Sequence, residues 1–121
     1  MILVAFAGLL GGTGVYLAYA AAHVESTDGL RAAAEMAMVH AVVVIGLVLV
    51  ARQSAIAIVW KGLALAMLVG AGLFAGDVGL STLSNIQLPR FTAPIGGVLT
   101  MIAWAGVFIA GLSDAWMGRR Q

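Results

Sequence analysis

Apolar residues fill four long stretches of this chain, and polar residues collect in the gaps between them. The stretches run from about 2 to 22, 30 to 51, 57 to 84 and 94 to 114. Each meets the length of roughly 20 apolar residues that one bilayer crossing requires. Periodicity does not separate helix from strand here, because the stretches are apolar on every side. Length does. Membrane strands are short and alternate in polarity, whereas a long lipid-facing segment has to satisfy its backbone N–H and C=O groups internally, as a helix. The pattern predicts an all-α fold, an integral membrane four-helix bundle of up-down topology, with residues 1–121 as a single transmembrane domain.

Composition agrees. Hydrophobic residues make up 63% of the chain and charged residues 9%, against about 25% charged in a soluble domain. Too little polar surface exists to cover a globule, so the expected surroundings are a lipid bilayer. A formal net charge of +1 argues against nucleic acid, which needs a basic face. The absence of cysteine removes disulfides, thiolate metal sites and cysteine nucleophiles.

Basic residues set the expected orientation. Arg52 and Lys61 flank the second connection, and Arg119 and Arg120 close the chain, while the opposite side holds Arg31 and Arg90 with Glu25 and Asp28. Four crossings place both termini on one side, and the Lys/Arg excess assigns that side to the cytoplasm of a cell inner (plasma) membrane. The first stretch ends in a small-residue run, "AYAAA", that could pass for a cleavage site. It lacks a basic lead and exceeds the length of a signal core, so it is expected to remain as a helix.

Small residues mark the expected helix contacts. Gly8 and Gly12 form one GxxxG, Gly72 and Gly76 another, and Gly106 and Ala110 repeat the spacing in the fourth helix. Such positions let backbones approach where the hydrophobic effect gives helices no reason to associate. Replacement of Gly76 by Leu is therefore expected to disrupt the bundle. Trp60, Trp104 and Trp116 are expected at interfacial or packing positions. In the connection from Asp77 to Ala93, Pro89 ends regular structure, Thr92 is the expected N-cap of the fourth helix, and Pro94 sits in its first turn. Gly96 and Gly97 leave that turn thin, so a close neighbour is expected there.

Several short motifs resemble a known family. They are "AYAAAH" ending at His23, "EMAMVH" ending at His40, "LFAGD" from Leu73 to Asp77, and "PIGGVLTMIAW" from Pro94 to Trp104. Together they are similar to the small four-helix membrane proteins of the YgdD and transmembrane protein 256 family. Met36-Ala37 stand where that family usually has Tyr-Gln, and Asp77 where it has Ser. The resemblance implies a four-helix membrane fold and no particular activity.

Ionisable residues in the apolar stretches carry the candidate chemistry. His40, Asp77 and Glu35 are expected at membrane depth, where a charged residue costs about 2.5–3.5 kcal/mol on insertion scales and usually faces a partner or a cavity. Estimated depths on antiparallel helices predict that His40 pairs with Asp77, while Glu35 pairs with Arg31 one turn away. His23 is expected near the headgroups. The sequence holds no HExxH spacing and no recognisable triad, so no catalytic residue, metal site or cofactor is assigned, and the protein is not expected to be an enzyme. The expected role is a non-catalytic packing or accessory component, with a membrane-protein partner or a homo-oligomer. Two alternatives use the cluster of His40, Asp77, Glu35 and His23: a metal- or cofactor-binding membrane subunit, and a small oligomeric transporter or proton-conducting protein.

Overall fold

The computed structural model describes residues 1–24 and 28–118; Glu25, Arg119 and Arg120 lie outside the described residues. Four helices follow one another: α1 (Ile2–Ala21), α2 (Asp28–Ala51), α3 (Ala57–Leu83) and α4 (Thr92–Gly118). Their 20, 24, 27 and 27 residues correspond to about 30–40 Å of helix, enough to cross a hydrocarbon core of about 30 Å. All four are apolar enough to do so. The boundaries fall within two residues of those expected, except that α4 continues four residues further, to Gly118.

The helices run up and down, but they do not form a closed square. α3 packs closely on α2 and α4 and touches α1 lightly, and α2 packs closely on α1 and α3, while the backbones of α1 and α4 stay apart. In cross-section α2 and α3 form the shared centre, with α1 and α4 at opposite corners. The gap between α2 and α4 is bridged by side chains alone. One end of the bundle gathers the chain start, the α2–α3 connection and the end of α4. There the Arg52 guanidinium lies 2.9 Å from the Met1 sulfur, and Trp60 near the start of α3 reaches Asp114 near the end of α4.

Glycine does permit the closest helix contacts, but mostly not the glycines expected to. A Cβ on Gly96 would fall 2.5 Å from the Gly70 carbonyl oxygen, and one on Gly70 would fall 2.8 Å from the Gly96 carbonyl oxygen. α3 and α4 therefore meet backbone to backbone. Buried Thr100 lies against Gly70 and directs its hydroxyl back to the Gly96 and Gly97 carbonyls. α1 and α2 meet at Gly14, where an added Cβ would fall 3.0 Å from the Ala34 carbonyl oxygen. Gly106 leaves room for the Leu63 side chain. By contrast, a Cβ added at Gly8, Gly12, Gly72, Gly76 or Gly97 would meet nothing within 4 Å. These five correct the packing expectation. The buried positions of α1 recur at Ala7, Leu10, Gly14, Leu17 and Ala21, and Gly8 and Gly12 lie off that face.

The turn into α4 is also built differently from expectation. α3 stops where Asn85 takes a left-handed φ of 56°, with the Ile86 N–H donating to the Leu80 carbonyl. This is a common way to satisfy a helix C-terminus. The Thr92 hydroxyl donates to the Pro89 carbonyl at 2.7 Å, so it does not act as the expected N-cap. The cap comes from the neighbouring helix: Asp77 Oδ2 accepts from the Ala93 N–H at 3.0 Å. An acidic acceptor there satisfies one of the free N–H groups of the first turn and complements the helix dipole.

These contacts predict opposite outcomes for two glycines of neighbouring helices. Gly96→Ala should lower thermal stability in detergent by about 1–3 kcal/mol, as overpacking does. Gly76→Ala should be neutral or stabilising by up to about 1 kcal/mol, because alanine favours the helix and nothing obstructs it. Equal melting temperatures for the two variants would contradict the packing described.

Candidate functional site

His40 is the one histidine inside the bundle, with 7% of its surface exposed. Its placement follows from the buried face of α2, on which Leu30, Ala33, Ala37, His40, Val44 and Leu47 recur every three or four residues. His40 Nδ1 lies 2.7 Å from the Met36 carbonyl oxygen, and His40 Nε2 lies 3.2 Å from Trp104 Nε1. An indole N–H can only donate. Nε2 is therefore the acceptor, and the ring proton sits on Nδ1, where it donates to the Met36 carbonyl. The neutral Nδ1–H tautomer makes both bonds at once. The two rings also meet edge to face, with centroids 6.2 Å apart and planes 70° apart, a favourable aromatic arrangement.

Helix register explains why this pair forms rather than the expected one. His40 and Trp104 each lie twelve residues beyond the first residue of their helices, Asp28 and Thr92, which is about 18 Å along each axis. α2 and α4 run in the same direction, so the two side chains arrive at one level near the bilayer midplane. Asp77 lies elsewhere. It caps Ala93, eleven residues before Trp104 and about 16 Å away along α4. Gly29 faces Val78 across the α2–α3 contact, which likewise puts Asp77 near the level of Leu30 rather than His40. No hydrogen bond or ion pair joins His40 to Asp77, and the expected pairing is corrected to His40–Trp104.

The other expected members of the cluster are dispersed. Glu35 is exposed and makes no ion pair with Arg31. It shares with His40, Met36 and Phe74 the wall of an open cleft of about 350 Å³. His23 is exposed at the end of α1, where Nδ1 lies 2.8 Å from the Tyr19 carbonyl oxygen and its ring stacks obliquely on Tyr19. Among the described residues, no group of three or more His, Asp or Glu side chains is gathered closely enough to hold a metal ion.

A second polar link carries no signal in the sequence pattern. Trp60, buried at 5% exposure, donates from Nε1 to Asp114 Oδ2 at 2.7 Å and ties α3 to α4 near the end that carries Met1. The packing role expected of Trp60 and Trp104 is therefore incomplete: both pack, and both also use their indole N–H to join helices. Among the described residues, no buried side-chain nitrogen or oxygen lacks a hydrogen-bond partner. What this arrangement does chemically is fix helix register. Both ring nitrogens of His40 are engaged in it.

A double-mutant cycle in detergent should detect the midplane link. His40→Ala and Trp104→Phe should couple by about 0.6 kcal/mol and by no more than about 1.7 kcal/mol, the range measured for interhelical hydrogen bonds in membrane proteins. His40→Ala and Asp77→Ala should instead be additive within about 0.5 kcal/mol, as expected for separated sites. Coupling between His40 and Asp77 would contradict the register given above.

Comparison with known proteins places the chain. Among curated proteins and solved structures, none matches it. The family described as "Protein of unknown function (DUF423)" matches residues 10–97, a span that contains α2 and α3 entire, most of α1 and the first turn of α4. It also includes His23, His40, Asp77 and Gly96. The chain belongs to this family of small membrane proteins of unknown function, the family of YgdD and transmembrane protein 256.

Proposed function

We propose that this protein is a non-catalytic packing or accessory component of a cell inner (plasma) membrane, acting through contact with another membrane protein. One observation carries the reading. The polar side chains inside the bundle are engaged: His40 with Trp104, Asp114 with Trp60 and Asp77 with the first turn of α4 join helices, and Thr100 bonds within its own helix. A metal-binding or proton-conducting role centred on His40 would need a free ring nitrogen, and both nitrogens are engaged. The orientation belongs to the same proposal. Arg52 and Lys61 lie at the end that carries Met1 and the last turns of α4, and their charge favours the cytoplasm for that end.

Purification from the native host in mild detergent tests the accessory role. The expected result is a membrane protein co-purifying in fixed ratio, with no stoichiometric metal and no visible absorbance. Stoichiometric metal lost on His40→Ala, or dissipation of a pH gradient by the protein in proteoliposomes, would replace this reading with one of the alternatives. For orientation, alkaline phosphatase fused after Gln121 should stay inactive, and a fusion after Asp28 should be active. The reverse pattern would invert the assigned sides.

A further inference from the structure

The face of α2 opposite its buried side is a continuous exposed stripe of Ala32, Glu35, Val39, Val42, Gly46 and Leu49. The steps between these positions alternate three and four residues, the spacing of a seam between two helices crossing at a shallow left-handed angle. Val39, Val42 and Leu49 are 53%, 70% and 52% exposed, and a Cβ on Gly46 would meet nothing within 4 Å. An apolar face toward lipid is ordinary. Glu35 on that face is not. It lies seventeen residues from Arg52, about 25 Å along the helix. With Arg52 at one boundary of a core about 30 Å thick, Glu35 falls about 5 Å inside the other. It has no hydrogen bond or ion pair among the described residues, although acidic side chains at such depth are rare and nearly always paired.

Charge identifies what covers this stripe. A second copy packed through α2 about an axis normal to the membrane would set Glu35 against its own equivalent at the same depth, which is repulsive. A complementary occupant brings a positive charge to that level. We infer that the exposed α2 face docks a transmembrane helix of a different protein, one that carries a lysine or arginine level with Glu35. This inference rests on the accessory reading above and names the surface through which it operates.

The test uses the full chain in phosphatidylcholine vesicles, with an acceptor dye on Val42→Cys, the sole cysteine in that variant because the natural chain has none. The probes are donor-labelled leucine–alanine transmembrane peptides carrying Lys, Leu or Glu at the depth of Glu35. Energy transfer should show the Lys peptide associating about tenfold more tightly than the Leu peptide, the size of one interhelical polar pair. Glu35→Gln should abolish that difference while leaving the melting temperature unchanged. Equal association of the Lys and Leu peptides, or a preference that survives Glu35→Gln, would overturn the inference. So would efficient disulfide formation between two Val42→Cys chains in native membranes, which would assign the stripe to a second copy.

Photo-crosslinkers placed at Val42, Val15 and Ile102 in the native host separate this inference from the accessory reading. Adducts at Val42 that vanish with Glu35→Gln support both. Adducts confined to Val15 or Ile102 overturn the α2 surface and leave the accessory role standing. No adduct from any of the three positions overturns both.

Discussion

A polar group carried into hydrocarbon has no water to return to, and that constraint organises this bundle. Burial of apolar surface does not draw the helices together, because lipid is as apolar as they are. What remains is close packing and the requirement that each intramembrane donor and acceptor find a partner. Packing is supplied where Gly70 and Gly96 let two backbones touch. The polar requirement is met where His40 receives the Trp104 N–H and Asp114 receives the Trp60 N–H. Each of these links involves α4, the helix that lacks close backbone contact with both α1 and α2. Two of them reinforce the close α3–α4 contact, and of the three the His40–Trp104 bond alone spans the gap between α2 and α4.

The start of α4 follows the same logic. In the first turn of that helix the Thr92 and Ile95 N–H groups donate to the Pro89 and Phe91 carbonyls. Pro94 has no N–H, and the Ala93 N–H is left without a backbone acceptor, while the Thr92 hydroxyl turns back to Pro89. Asp77 on α3 supplies an acceptor to Ala93 instead. A cap borrowed from a neighbouring helix does two things together: it satisfies the helix end, and it fixes the axial position of α4 on α3. The Gly70–Gly96 contact lies about two helical turns from Asp77 along α3, so the two contacts set both the height and the closeness of one interface.

Helix number, limits and topology are legible in the sequence, because roughly 20 apolar residues between polar gaps leave little choice in a bilayer. The facing of each helix is less so. In a soluble helix a polar side would separate Gly14 from Gly12; here Thr13 flanks both and the surrounding run is otherwise apolar, and only the fold distinguishes them. The expected His40–Asp77 pair fails through register. Depths counted from Arg31 and Ser84 bring the two level, whereas Gly29 lies opposite Val78, which raises Asp77 to the level of the first turn of α2. Counting from the helix starts matches His40 with Trp104 at twelve residues each. That signal is present in the chain, but a tryptophan in an apolar run is readily taken as packing, and its lone N–H is overlooked.

The arrangement around α3 also bears on how the chain assembles during synthesis. Helices α1, α2 and α3 contact one another and can settle as a three-helix unit while α4 is still being made. In that unit the His40 imidazole already donates to Met36, but its other nitrogen faces an empty place until Trp104 arrives 64 residues later. The incomplete bundle therefore presents an unmet acceptor at mid-depth on α2, and on α3 the bare backbone of Gly70. The last helix to enter finds its partner surface marked by shape and by three open groups: the His40 nitrogen, the Trp60 N–H and the Asp77 carboxylate.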